Sequence, residues 1–393
     1  MIQYYSTDIF DNVVTVNDAR KLFPVTKSCI YLDSAHYSQY SLEVSRRLVD
    51  FINEFTYSNK NLSIFNITIA KTLKEKISRL INADVNDIIL TSGTTHGINI
   101  FASGIRLKPG DKVAYPDSEF PAVVYPWMNQ QKLRGIKNVL IPSDNGKIKL
   151  EDIEHVLKSE SVKVLSVSSV EFLGFKNNLR EIRKICDWYD CLLLVDAIQS
   201  IGAVPVDLQE FNPDFLAAGS QKWMMSPAGI GFAYISKKVR SEIDPTYVAT
   251  SSVKYDFEHF LHYKLDFNDD GSAYENSTLN SLGMIGLEAS VDLFLKLGVH
   301  NIYRHITGLL DLFIEEMRNS DYIIESDITP LSRSNILIFS HKNRENNSLI
   351  LKKLSQENIF IALREGFLRL SPHLFNNDLD IIKLTSVLKT MRM

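Results

Sequence analysis

Short apolar runs alternate with helical stripes from about residue 88 to residue 235. The runs end at Leu90, or cover Lys112–Pro116, Val162–Val170, Leu192–Val195, Phe215–Ala218 and Ile230–Ile235. Leu192–Val195 is unbroken and short, which predicts a strand buried on both faces of a parallel sheet. Helices are predicted from about Thr95, through Tyr125 and Trp127, and over Leu179–Asp190, where Leu179, Ile182, Ile185, Cys186 and Tyr189 share a face. Alternation of this kind predicts a mainly parallel, helix-covered sheet. Upstream lie an arm with a short helix around Asp18–Leu22, a short strand at Ile30–Leu32 and helical stripes over Leu42–Phe55 and Ile67–Ile81. Downstream the pattern loosens between Ser236 and Ala273. Two long helices follow at Leu282–Leu297 and Asn301–Met317. The order then changes to strand (Ile336–Ser340), helix (Ser348–Asn358), strand (Ile359–Leu363), strand (Leu368–Ser371) and helix (Leu379–Met391). That change predicts a smaller α+β domain, giving an arm at 1–29, a large α/β domain at 30–270 and a small domain at 271–393.

Composition narrows the class without naming a chemistry. The 393 residues are 45% hydrophobic and 23% charged, with 43 basic against 47 acidic side chains and a net charge of -4. No global field points to nucleic acid or an anionic membrane. Cys29, Cys186 and Cys191 form no CxxC, so reduced thiols in a cytoplasmic protein are expected, and no metal site. The start, MIQYYSTDIF, has no signal-peptide pattern, and no stretch is long and apolar enough to span a bilayer.

The chemistry concentrates at strand ends. Asp196 closes the Leu192–Val195 run, and Lys222 follows the next run after Gly219, Ser220 and Gln221. Ligands of open α/β sheets collect outside the carboxyl ends of strands, so two neighbouring strands aim an acid and a lysine at one crevice. Pyridoxal phosphate (PLP) requires such a pair: a lysine to hold it as a Schiff base, and an acid to keep its pyridine nitrogen protonated. Taken alone, the pair also suits a turn-capping aspartate and a solvated lysine. The stretch Thr91-Ser92-Gly93-Thr94-Thr95 turns from a strand into a helix, which makes a phosphate seat or a simple N-cap. Phe120, just past a strand end, can stack on a planar ring or plug the core. There is neither a Walker A motif nor a GxGxxG.

Together these motifs resemble, in order and spacing, the class V aminotransferase family of fold-type I PLP-dependent enzymes, from about Tyr31 to the carboxyl end. That family groups cysteine desulfurases, kynureninases, isopenicillin N epimerase-like proteins and several transaminases and lyases. The resemblance implies that Lys222 in GSQKW is the Schiff-base lysine, that Asp196 pairs with the pyridinium nitrogen, and that Gln199 donates to the ring's phenolic oxygen. It places Ser220, Thr94 and Thr95 in the phosphate cup and Phe120 on the ring. Thr278, in a stretch where Ser277 replaces the family's glycine, would reach the phosphate of a second subunit, making the site part of a homodimer interface. Arg369 in LRLSPH would grip the substrate carboxylate, with Arg364 as a secondary candidate.

Three departures bear on the reaction. Gln221 stands where desulfurases carry histidine. Glu171 occupies a region where relatives place Asn or Gln, and it is assigned with His36 to the substrate side. Only Glu365-Gly366-Phe367-Leu368 separates Arg364 from Arg369, where the most similar desulfurases carry a cysteine-bearing loop, so persulfide formation on the enzyme is disfavoured. The expected activity is therefore that of an aminotransferase or a C–S/β-elimination lyase acting on an amino acid or amine. The alternatives are an epimerase and a non-catalytic scaffold of the same fold.

Overall fold

The computed structural model describes residues 8–254, 258–259, 261–276 and 278–391. Its centre is a seven-stranded sheet made of β1 (Ile88–Thr91), β2 (Lys112–Pro116), β3 (Lys137–Ile141), β4 (Val162–Ser168), β5 (Leu192–Asp196), β6 (Phe215–Gly219) and β7 (Gly231–Ile235). The spatial order is β1-β7-β6-β5-β4-β2-β3. All pairs are parallel except those made by β7, which runs antiparallel to both neighbours. The carboxyl ends of β1, β2, β4, β5 and β6 therefore lie along one edge.

Both faces of the sheet are covered, which explains the unbroken apolar runs. Leu193, Val195 and Leu216 belong to one core, with Leu73, Ile77 and Ile182 from the helices Leu62–Ile81 and Leu179–Trp188. Leu194, Phe215 and Ala217 alternate to the other, against Ile98, Phe101 and Trp127 of the helices Thr94–Gly104 and Pro121–Arg134. The helix Thr94–Gly104 lies close on the sheet at Gly97, where an added Cβ would stand 2.8 Å from the Ala217 Cβ and 3.4 Å from that of Ala233. Neither alanine can turn aside. Gly97→Ala is expected to lower stability by roughly 1–3 kcal/mol through overpacking, less up to about 1 kcal/mol of helix propensity. A denaturation midpoint no lower than that of the parent would contradict this contact.

A second, antiparallel sheet is built from β8 (Tyr322–Ile324), β9 (Leu337–His341), β10 (Ala362–Arg364) and β11 (Phe367–Leu370), in the order β10-β11-β9-β8. The amino-terminal segment is not a free arm. Ile30–Tyr31 pairs in parallel with Ile359–Phe360, Phe23 packs on Phe375, and the Arg20 guanidinium holds Asp380 at 2.7 and 3.1 Å. Strand β3 and the helix Leu150–Glu160 were not anticipated from the sequence. The polar Lys137 and Asn138 leave only Val139–Ile141 as an apolar run in β3, which lies at the edge of the sheet. The strand expected to reach Val170 stops at Ser168, because the chain turns there into a loop closed by a bridge between Val170 and Lys176. The strand expected at Ile359–Leu363 is two short strands in different sheets.

Candidate active site

A cavity of about 510 Å³ opens at the carboxyl edge of the large sheet. Its wall includes His36, Thr94, Thr95, Phe120, Asp196, Gln199, Lys222, Arg364 and Arg369. Nine of the residues singled out from sequence thus meet in one place, drawn from positions 36 to 369.

Asp196 sits at the last position of β5 and is 2% exposed. One carboxylate oxygen accepts the Ile198 N–H at 2.8 Å. Burial pushes the Asp196 carboxyl up to about 6, against that hydrogen bond and the Lys222 charge, which pull it down. Lys222 is half-buried in the turn after β6. Burial brings its ammonium down to about 8; Asp196 opposes that shift, while Arg369 and Arg364 add to it. The ammonium nitrogen lies 5.3 Å from the centre of the Phe120 ring. Phe120 is itself 43% exposed, and Phe172 stands beside it with ring centres 6.0 Å apart.

The end of the cavity that the sequence assigns to a phosphate is a turn and a helix start. Gly93 takes φ 147°, and the helix Thr94–Gly104 begins directly after it. The Thr94 hydroxyl accepts the Gly219 N–H at 2.8 Å, fastening the helix start to the end of β6. Gly231 keeps this region close: a Cβ there would meet the Ala218 carbonyl at 2.5 Å and the Gly93 Cα at 3.0 Å. Gln199 is held in place by its amide, which donates to the Ala35 carbonyl at 3.2 Å and accepts the Trp223 indole N–H at 2.7 Å. One amide N–H therefore remains for a ligand.

Arg369 projects from β11 and is 2% exposed. Its guanidinium donates to the Phe172 carbonyl at 3.1 Å and reaches the Asp33 carboxylate at 3.2 Å, and its buried Nε has no partner. His36 lies 3.6 Å from the other Asp33 oxygen.

Three expected residues are not in the cavity wall. Ser220 is fully buried, and its hydroxyl donates to the Pro227 and Ile230 carbonyls at 2.8 and 3.0 Å, so it shapes the turn before Lys222. Glu171 is 1% exposed and faces Asn177, whose amide donates to it at 2.7 Å, rather than the substrate side. Thr278 is exposed and lines a separate hollow with Thr91, Ser92 and Gly229. Ser277 lies outside the described residues. Conversely, sequence reading passed over Asp33, His96 and Glu119. His96 lines the cavity and accepts the Ser92 N–H at 3.1 Å. The available signal for Glu119 was weak: it is one of two acids, with Asp117, between an apolar strand and Phe120.

The donor set fits PLP. A buried carboxylate and a lysine share one wall, an aromatic ring flanks them, and a helix start with small hydroxyl residues closes one end. A sequence model of the family described as aminotransferase class-V matches residues 30–379. The chain belongs to that family, whose members are PLP-dependent. Class-V relatives include a probable cysteine desulfurase of Borreliella burgdorferi, 30% identical over 85% of this chain and 83% of its own. Another probable cysteine desulfurase, from Methanothermobacter thermautotrophicus, is 28% identical over 89% of this chain and 86% of its own. Among solved structures, a cystine C–S lyase in complex with its reaction product cysteine persulfide superposes with a TM-score of 0.87 at 19% identity. It covers 94% of this chain and 99% of its own, which shows that the class-V chain has the fold-type I architecture.

Proposed function

We propose that the protein is a PLP-dependent C–S lyase that removes the sulfur substituent of an α-amino acid by β-elimination. The observation that carries the reading is the convergence of Lys222, Asp196 and Arg369 on one cavity. When bound there, PLP supplies an electron sink for the pair left at the substrate α-carbon. Asp196 would hold the ring nitrogen in its protonated form, and Gln199 and Phe120 would hold the ring. Arg369 orients the substrate by its carboxylate, bringing the α-hydrogen to Lys222, whose amine accepts it.

Elimination is favoured over persulfide transfer to the enzyme by the turn Glu365-Gly366. These two residues, both at positive φ, join β10 directly to β11 and leave no loop above the cavity. Cys29, Cys186 and Cys191 are absent from its wall. The name shared by the desulfurase relatives therefore fits this chain in its C–S bond cleavage. No helix among the described residues is long and apolar enough to cross a membrane. In a homodimer, the exposed Thr278 would serve the site of the second copy.

The test is incubation of the PLP-loaded protein with cystine, cysteine and sulfur-free amino acids. Elimination yields pyruvate, ammonia and a sulfur product without an added keto acid. Product formed only with an added keto-acid acceptor would instead establish an aminotransferase. Arg369→Ala should raise KM for an α-amino acid by on the order of 10²-fold, because a charge-assisted bidentate contact contributes about 1.5–3 kcal/mol. Steady-state kinetics with a substrate and its decarboxylated amine check this, since the amine should be indifferent to the change.

A further inference from the structure

Behind the cavity, two acids that the reaction does not use lie alongside Asp196. Glu119 follows β2 and is 7% exposed; one carboxylate oxygen accepts the Ser168 N–H at 2.5 Å, and the other accepts the Ser168 hydroxyl at 2.8 Å and the Phe120 N–H at 3.1 Å. Ser168 is the last residue of β4 and stands opposite Asp196 in the ladder with β5. The Ser168 carbonyl accepts from the Asn177 amide at 2.8 Å, and the same amide donates to one Glu171 oxygen at 2.7 Å. Glu119, Ser168, Asn177 and Glu171 thus form one buried chain of hydrogen bonds alongside Asp196. The second Glu171 oxygen is buried with no partner.

Every donor in this chain is neutral. The charged group that acts on Glu119 is Asp196, and those that act on Glu171 are Glu119 and Asp196. Lys222 faces Asp196, Arg369 reaches Asp33 and the Phe172 carbonyl, and Lys176 lies over the Tyr303 ring at 5.6 Å. Three buried carboxyls supplied with one cation cannot all ionise. The charge of that cation, Lys222, acts on Asp196 rather than on either glutamate.

We propose that Glu119 and Glu171 are positioning residues carried as neutral carboxylic acids, which leave Asp196 the only charged carboxyl behind the cavity. Because Asn177 donates to one Glu171 oxygen, the proton of Glu171 rests on the other, unpartnered one. The inference deepens the PLP reading, since a lone charge at Asp196 is what a ring nitrogen requires. Burial, with Asp196 nearby, pushes Glu119 up to about 8, and burial, with Glu119 nearby, raises Glu171 well above its usual range. A raised folded-state value means that the acid's contribution to stability is complete below about 4.5 and is lost as pH climbs toward 8.

The experiment uses the full-length protein, with and without saturating PLP. Infrared spectra at pH 7 should show the carbonyl stretch of protonated carboxylic acid, displaced when glutamate alone is isotopically labelled and absent from Glu119→Gln/Glu171→Gln. Relative to the wild type, the melting temperature of that double variant should rise by several degrees between pH 5 and pH 8, because amides do not ionise. A wild-type spectrum without a glutamate-dependent band overturns the proposal even if the variant fails to fold. So does a melting difference that stays constant with pH. Both readouts are independent of turnover, so a protein that bound no PLP would defeat the proposed function and leave this inference standing or falling by itself.

Discussion

Replacing Lys222 with alanine should abolish turnover, by at least about 10³-fold, while leaving a folded protein that holds PLP non-covalently. The size follows from losing two roles at once, the covalent anchor and the proton acceptor at the α-carbon. Folding should survive, because the Lys222 ammonium makes no ion pair among the described residues and its neighbour Trp223, fully buried, fixes the turn through Gln199. Borohydride reduction should attach the cofactor to the peptide carrying Lys222 in the wild type and to no peptide in the variant. Turnover in the variant near the wild-type level would remove Lys222 from the chemistry.

Asp196→Asn should lower the rate by on the order of 10²–10³-fold, the usual cost of deleting one preorganised electrostatic partner. The amide keeps the size and the acceptor for the Ile198 N–H, so the loss belongs to charge. Stability should move in the other direction. The Asp196 carboxyl is raised to about 6 in the fold, so its contribution is full below about 3.8 and lost as pH rises through 6. Above pH 6 the asparagine variant should melt at the same temperature as the parent, or higher, without cofactor. Rate and melting curves on the same preparation separate the two effects. A rate within a few-fold of the wild type would show that Asp196 does not face a ring nitrogen.

The periodicity of the chain made most of the large sheet legible, because strands buried on both faces are apolar without interruption. Edge strand β3 escaped for the complementary reason: after the polar Lys137 and Asn138 its apolar run is only Val139–Ile141, too short to mark a strand. Asp196 stood out because it closes an apolar run at the edge where ligands of such sheets collect, whereas Arg369, inside β11 between Leu368 and Leu370, was singled out only by the family resemblance of its motif. Ser220 was misplaced since a hydroxyl beside a catalytic lysine suits a ligand and a backbone carbonyl equally well. Glu171 was assigned to the wrong side because sequence carries no direction for a side chain in an irregular loop. Asp33 was passed over although its partner was found, since an ion pair spanning 336 positions leaves no local trace.

The pairing of Ile30–Tyr31 with Ile359–Phe360 also governs when the molecule can be completed. Its partners are 329 positions apart, from residue 30 to residue 359, and the Arg20–Asp380 pair spans 360. Contacts of such sequence separation carry the highest loop-closure entropy and form late. On the ribosome, the large sheet has its seven strands once Ile235 has emerged, whereas the seam waits for Ile359 and Asp380, more than a hundred positions later. Asp33 and Arg369, which meet across that seam, are among the last parts of the cavity to come together. A nascent chain can thus acquire its lysine and its acid long before it has a seat for a substrate.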